Sequence, residues 1–587
     1  MIVPMKKATI LFETKDAEAT ITYIRKLGVL QVEHQNLPEG REISELQEKL
    51  AIVNSSFNIL NQAIISERNL QQQNKIIGDW MTVANHIVEL GKRQEQLDST
   101  SRTIIGQINE WERWGDIDKN QVQYLSQNGI YLKLYQVPVK EIGSFPDDVV
   151  VKTIFTTADI AHCVAISRRQ YECGFKEILP PMESLSVLKE RLADNSRAIE
   201  TTKKEIIESS SFFEDLSEIK LKLEKEIEFQ QVLLGMGREG AISYVTGYIP
   251  FDMTENLNSE ARNRKWGILI TDPSAVDTVP TLLRNPRWVG MISPVLKLLG
   301  LTPGYHELDI SMLFLIFFSI FFGILIGDAG YGLVYILITV LMMLWLYKKM
   351  KLTQEMKTIV SLFFILGFCA VIWGLLTGTF FGQGWIQPLF PPLTNATFVA
   401  TFCFFLGALH LSIAHTWQAY QKFPSLTTLA DAGWICILWS AFFLARTLIL
   451  GDSFPPEGLW LVGAGITLVI LFTNPQRNVL RGIGAGLGTV ALSFMSNITD
   501  VISYIRLFAV GLATLAIADT TNMLAAGFGE GVIAIVAGVA IFIIGHGLNI
   551  ILGPMSVLVH GVRLNVLEFS GHANVTWSGV AFEPLKE

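Results

Sequence analysis

The sequence predicts a multidomain chain in two parts. Cytosolic α/β lobes joined by a long antiparallel coiled-coil arm come first. An all-α, eight-span membrane domain with two long tilted C-terminal helices follows. Three observations carry this. Apolar residues fill half of the 587 positions but are unevenly spread. Residues 1–300 are rich in Glu, Lys, Gln, Asn and Ser, whereas 309–570 are long runs of Leu, Ile, Phe, Gly and Ala. Within the polar half, two stretches carry apolar residues at alternating three- and four-residue spacing, the signature of a coiled-coil seam.

Taken in order, KKATILFE suits a strand, KDAEATITYIRKLG a helix ending at Gly28, and VLQVEH a second strand. These open a proximal α/β lobe, 1–38, which resumes at 240–300 with the strands AISYVTGYIP and KWGILITDP. The first seam, 41–112, is read as one long helix. It runs through Ile43, Leu46, Leu50, Val53, Phe57, Leu60 and Ile64, then Ile76, Trp80, Val83, Ile87, Leu90 and Leu97. A distal α/β lobe, 115–182, holds YLKLYQVPV, DVVVKTIF and HCVAISR. The second seam, 183–236, carries Leu185, Leu192, Ile199, Ile206, Phe213, Ile227 and Leu234, softened by Asn195. A helical arm of about 55 residues reaches roughly 80 Å at about 1.5 Å per residue, which suits a strut better than an active site. Residues 278–308, with several prolines and glycines, are the junction to the membrane domain, 301–587.

Eight apolar segments follow, at 309–326, 329–347, 358–380, 397–417, 429–450, 458–473, 484–522 and 531–569. The last two exceed a span, so they must tilt, break or project. The linkers test the count. YKKMKLTQEMK, QAYQKFPSL and TNPQRNVLR all carry Lys or Arg. The opposite linkers, IGDAG, GQGWIQPLFPPLTN, GDSFPPEG and AAGFGEG, carry none. The positive-inside rule then places both termini in the cytosol, and the expected location is the plasma membrane. Lys6 and Lys7 precede only the short run ATILF, which is not the pattern of a cleavable signal.

Several classes are excluded. A net charge of −8 provides no basic field for nucleic acid. The five cysteines have no CxxC pair and no ligand spacing, so no metal is expected. No GxxxxGK[ST], HExxH or GxSxG occurs; no nucleotide, cofactor or catalytic site of its own is expected.

The polar residues inside the membrane segments carry the functional reading. Arg506 lies within NITDVISYIRLFAVGLATLAIAD, and Arg563 within GPMSVLVHGVRLNVLEF. A charge at mid-membrane costs roughly 2.5–3.5 kcal/mol, so it normally faces a protein interior or a water-filled path. Ser496, Thr499, Ser503, Arg506, Val510 and Ala513 share one helical face of mostly small residues, which lets another helix approach. His546, Asn549, Gly553, Ser556, His560 and Arg563 form a matching stripe on the last segment. Asp328 in GDAGYG either lines an outer cavity or caps the next helix, and Asp500 is a candidate for an inner cavity. Glu568 is assigned to the solvated helix end, and the counter-charge of Arg506 is expected outside this chain.

SYIRLFAVGLA (503–513), HGLNIILGPMSVLVHGVRLNVLEF (546–569), FFGILIGDAGYG (321–332), PGYHELD (303–309) and WERWGDID (111–118) resemble subunit I (subunit a) of the prokaryotic V-type/A-type ATPases. The resemblance implies a membrane stator that forms two ion half-channels against a rotor ring of small carboxylate-bearing subunits. It also implies H⁺ or Na⁺ translocation coupled to ATP hydrolysis or synthesis. Its further partners would be the peripheral stalk, central-stalk and catalytic subunits of the same complex. Arg506 and Arg563 would be the essential arginines, with His560 beside the second and Asp328 at the outer half-channel. Two positions depart from the family pattern: Ile310 stands where proline is frequent, and Gly553 where eukaryotic relatives carry a polar side chain. The competing class is a secondary transporter or channel with a regulatory coiled-coil domain; no inverted repeat among the segments supports it.

Overall fold

The computed structural model describes every residue except 68–75, 77, 172, 350–352, 474–478, 528–530 and 587. Parts of three predicted linkers, around Lys351, residues 474–478 and residues 528–530, therefore lie outside the described residues. The chain divides into two compact units. One comprises 11–28, 34–245 and 585–587; the other comprises 1–10, 29–33 and 246–584.

The amphipathic repeats organise the first unit. Helix α1 (Ala17–Leu27) ends where Gly28 takes the left-handed conformation that a side chain disfavours. Four longer helices follow: α2 (Arg41–Glu67), α3 (Trp80–Trp111), α5 (Leu185–Ser209) and α6 (Phe213–Gly235), with α4 (Lys119–Gln127) between the pairs. The first seam is thus two helices rather than one, because Asp79 caps a new start by accepting from Met81 N. The seam residues Leu60, Ile87, Leu90, Ile206 and Leu216 share one buried cluster, and Phe57 stacks on Phe213 with centroids 4.4 Å apart. Farther along, Ile104 and Ile108 meet Leu188, so α3 and α5 run antiparallel. Asn195, a polar break in the seam, donates to Leu97 O and Ser101 Oγ at 2.7 Å.

Strands β3 (Tyr131–Pro138), β4 (Val150–Thr157), β5 (Ile160–Ser167) and β6 (Lys176–Ile178) form an antiparallel sheet in the order β4-β5-β3-β6. Trp111 and Trp114 of WERWGDID fill its inner face against Leu134 and Val164. Asp118 of the same motif caps α4 through Gln121 N.

Strands β1 (Met5–Glu13), β2 (Gln31–Glu33), β8 (Ile242–Pro250) and β9 (Gly267–Thr271) pair in the order β2-β8-β1-β9. The short β7 (Gly237–Glu239), in the first unit, forms a hairpin with the start of β8. After α7 (Thr254–Arg264) and α8 (Ser293–Leu298) the chain becomes apolar and helical. The helices are α9 (Ser311–Ile326), α10 (Ala329–Lys349), α11 (Gln354–Thr377), α12 (Ala396–Lys422), α13 (Thr428–Ala445), α14 (Pro456–Phe472), α15 (Val479–Ser503), α16 (Ile505–Ala526), α17 (Val532–Ser556) and the short α18 (Ser570–His572).

Among the described residues, six helical stretches are long and apolar enough to cross a membrane. They are Ala329–Lys348, Gln354–Thr377, Ala396–Lys422, Thr428–Leu450, Ser493–Ala526 and Val532–His572. The remaining two predicted segments are helices of 16 and 17 residues, α9 and α14. At about 1.5 Å per residue each reaches roughly 25 Å, short of the roughly 30 Å of hydrocarbon. Twelve residues of α9 are buried, which makes it the hub of the second unit's core. Backbones approach closely around it. A Cβ on Gly511 would sit 2.7 Å from Ile324 O, and one on Gly374 only 2.0 Å from Ala329 N.

The tail returns to the junction. Glu307 of PGYHELD accepts from Gly304 N and Trp577 N through Oε2 and from Thr576 N through Oε1, at 2.8, 3.3 and 2.9 Å. Thr281 and Ala581 then pair as a parallel bridge. Burial pushes the Glu307 carboxyl up, but the hydrogen bonds from Thr576, Gly304 and Trp577 outweigh it and hold the group below its ordinary range. The sign follows from linkage. A depressed carboxylate contributes fully above the unfolded pKa of about 4.3 and loses that contribution as pH falls through the folded value. Glu307→Gln should therefore release residues 574–584, at a cost of about 1–3 kcal/mol. Limited proteolysis at neutral pH should cut the variant's tail faster than the wild type's, and mild acid should narrow the difference.

Candidate functional site

Arg506 sits in the first turn of α16, directly after a break in the predicted seventh segment. That segment is two helices, because Tyr504 leaves the regular helical pattern and its N–H bonds to Val501 O. Tyr504 is fully buried. Its ring lies on Gly407, where an added Cβ would be 2.6 Å away, and its hydroxyl hydrogen-bonds His410 Nδ1 at 2.8 Å. His410 is itself stacked between Phe317 and Phe569. This stack fixes the helix break and therefore the base of the Arg506 side chain.

The last segment is also irregular. Beyond α17, residues Val557–Gly561 and Leu564–Phe569 are wound as wider π turns, with Pro554 removing one backbone donor just before them. In an α-helix, residues five apart point about 140° from one another. A π turn closes a bond between positions five apart and brings Arg563 and Glu568 to the same face. Glu568 Oε1 then lies 3.2 Å from Arg506 Nη2 and 3.5 Å from Arg563 Nε. The two arginines thus meet on one carboxylate oxygen.

This corrects two expectations. Arg506 has a counter-charge within its own chain. Glu568 is no solvated helix end, since its side chain is only 5% exposed. Exposure differs between the cations, at 22% for the Arg506 side chain and 55% for Arg563. Arg506 Nη1 and Glu568 Oε2 are buried without a hydrogen-bond partner. His560 is half-buried on the first π turn. Ser503 and Ser556 are half-buried on the same two segments.

A cavity of about 410 Å³ opens onto this cluster. Asp500 and Glu568 line it, together with His415, His572, Asp431 and Lys422, which sequence reading did not single out. His415 Nε2 and His572 Nδ1 are 2.9 Å apart, and His572 Nε2 lies 3.1 Å from Asp500 Oδ2. Asp431 takes both oxygens to Lys422 Nζ, at 2.9 and 2.8 Å, and lies 3.7 Å from His415 Nδ1. His415, His572 and Asp500 thus form a line of titratable groups at hydrogen-bonding distance, and Asp431 stands beyond that distance from His415. The available signal was the HLSIAHTW run, with two histidines in an apolar helix, but it lacked any visible partner.

His546, Asn549 and Asp328 belong to a second polar group near the other end of α16. Along that helix Asn522 lies 16 residues beyond Arg506, roughly 24 Å. Tyr331 OH bonds His546 Nδ1 at 2.7 Å and accepts from Asn549 Nδ2 at 3.0 Å. Asn549 also donates to Thr514 O, His546 Nε2 faces Asn522 Oδ1, and Asn522 donates to Phe381 O. Asp328, fully buried, accepts from Tyr331 N and Phe381 N through Oδ1 and from Gly382 N through Oδ2. Of the two roles considered for Asp328, the helix cap is the one this geometry makes, and the same carboxylate latches Phe381 and Gly382.

Removing that latch strands one buried donor, Tyr331 N, at about 1–3 kcal/mol, and two half-buried ones at less. Asp328→Ala should lower the unfolding temperature of the detergent-solubilised chain by several degrees and expose residues 378–395 to protease; Asp328→Asn should lose less. An unchanged unfolding temperature for Asp328→Ala contradicts the latch.

No family model matches the chain. Full-length relatives do. V-type ATP synthase subunit I 1 of Treponema pallidum (strain Nichols) is 31% identical over 100% of both chains. V-type ATP synthase subunit I of Borreliella burgdorferi is 28% identical, also over 100% of both. A-type ATP synthase subunit I of Methanocaldococcus jannaschii is 26% identical over 69% of this chain and 64% of its own. The crystal structure of the cytoplasmic N-terminal domain of subunit I, homolog of subunit a, of V-ATPase covers 45% of this chain and 100% of its own at 12% identity. Its TM-score of 0.21 is too slight a likeness to carry weight. The full-length identity and the apolar helices agree: this chain belongs to the subunit I family of the V-type and A-type ATP synthases, as a multi-pass membrane protein.

Proposed function

We propose that the chain is the membrane stator of a rotary ATPase, and that Arg506 and Arg563 are the fixed positive charges past which the rotor ring carries its ions. The observation that carries this reading is the convergence of both arginines on Glu568, a buried carboxylate that lines one open, polar cavity. The cavity with Asp500, His572 and His415 is the inner half-channel in this account, open to the cytosol. The rotor carboxylate arrives protonated or ion-loaded, releases its ion, and is held ionised by the arginines. Two unit charges about 4 Å apart attract by about 4 kcal/mol at an effective dielectric of 20, enough to hold a carboxylate ionised against burial. The same positive charge repels free cations and so blocks a direct leak between half-channels. The exposed residues Thr499 and Ala513 leave room on the Arg506 face for a ring helix. The outer half-channel would lie toward the His546 and Asn549 end, with Asp328 holding its wall rather than carrying ions.

In this proposal residues 301–587 form the translocating domain with eight membrane segments, α9 and α14 being the short ones. Residues 1–300 form a cytosolic stator domain whose coiled-coil arm, 41–112 and 183–236, takes torque from the peripheral stalk. Both termini are cytosolic, the membrane is the plasma membrane, and the ion is H⁺ or Na⁺. The rotor ring and the central-stalk and catalytic subunits are the remaining partners.

Arg506→Gln, in a complex shown to be fully assembled, should reduce ATP-driven ion transport in membrane vesicles to background. Retained transport would overturn the stator reading. The purified chain alone, placed in liposomes, should move no solute; uptake there would favour a secondary transporter.

A further inference from the structure

The arginine cluster contains two cations and one resident anion, so it is short by one negative charge. Glu568 supplies the resident anion. It is nearly fully buried, touches both guanidinium groups through one oxygen, and keeps its second oxygen unpartnered. Arg506 likewise keeps a buried unpartnered nitrogen, while Arg563 stays more than half exposed. A buried ionised group without a partner is costly, so unfilled donors of this kind mark a place for an incoming acceptor.

We propose that Glu568 is the resident counter-ion of the arginine pair: it cancels one of the two positive charges, so that the site binds a single rotor carboxylate and releases it again. The proposal rests on the stator reading above. With Glu568 in place the cluster carries a net charge of about +1, and one docked carboxylate makes it neutral. Without Glu568 the rotor carboxylate would face two uncompensated cations and would be gripped too tightly to reload its ion. Glu568 is thus a positioning residue that acts on the ring through the arginines.

The neighbouring charges do not replace it. On the side of α15 and α16, Asp500 is engaged by His572 and Tyr504 by His410. On its own segment, His560 lies three residues before Arg563 and adds no negative charge. Across the cavity, Asp431 is neutralised by Lys422. The sequence hides the device because it depends on π winding: at α-helical pitch, Glu568 would turn away from Arg563.

The test is the pH profile of ATP-driven ion transport by the intact complex in vesicles, repeated as a Na⁺ titration at fixed pH. One unit charge at this range displaces the loading of a carboxylate by roughly one pH unit, or tenfold in ion concentration. Glu568→Gln should move the half-maximal point by about that much toward lower pH or higher Na⁺. Arg563→Gln should move it the opposite way. The double variant, which restores the net charge, should bring the half-maximal point back toward its wild-type position at a lowered maximal rate, and Glu568→Asp should keep the wild-type midpoint. Glu568→Gln overlaying wild type in an assembled complex overturns the proposal. If that variant does not assemble, an undisplaced profile for Arg563→Gln overturns it equally. A merely structural role would lower the amount of complex without displacing the curve. Arg506→Gln separates the two levels: transport retained there removes the stator reading itself.

Discussion

The structure depends on placing two guanidinium groups in an apolar helix bundle and meeting their charge with one buried carboxylate. A lone arginine at membrane depth is tolerated only if it faces a partner or water. Here the partner is Glu568, which also lines an open, polar cavity. Everything near the cluster serves that placement. The Tyr504–His410 contact breaks α16 from α15 just before Arg506. The π turns after α17 set Arg563 and Glu568 on a common face. Gly407 makes room for the Tyr504 ring, and Gly511 lets the backbones of α16 and α9 approach.

The two ends of this bundle are built on different physics. Around Tyr331, His546, Asn549 and Asn522 the polar groups satisfy one another in a closed network. Asp328 spends both oxygens on backbone donors. A network of that kind stiffens a wall. Around Arg506 the polar groups are left incomplete, with Arg506 Nη1, Glu568 Oε2 and His415 Nδ1 unpartnered. Incomplete, buried and charged groups beside an open cavity leave acceptors and donors free, which the closed network does not.

Much of this was legible in the sequence. Apolar run length found the six helical stretches long enough to cross a membrane, and heptad spacing found residues that are buried between α2, α3, α5 and α6. Arg506 and Arg563 stood out as charges that apolar helices do not carry without cause. The failures have a common origin. Stripe reading assumes 3.6 residues per turn throughout, and the last segment abandons that pitch after Pro554. The assumption grouped His546 and Asn549 with Arg563, although they pack inward near the other end of α16. It also left Glu568 off the face. Asp328 was ambiguous for another reason: two of its three donors, Phe381 N and Gly382 N, lie more than 50 residues away. Local sequence does not encode a contact of that kind.

The central claim is that the Arg506 face of α16 meets the ring. Disulfide cross-linking in native membranes tests it most directly. The measurement pairs Ala513→Cys, in a background cleared of other cysteines, with a cysteine one turn from the rotor carboxylate. This account predicts a high-yield cross-link that advances around the ring as ATP is hydrolysed, and none from Leu333→Cys, exposed on α10. Cross-links from position 333 and none from 513 would contradict it.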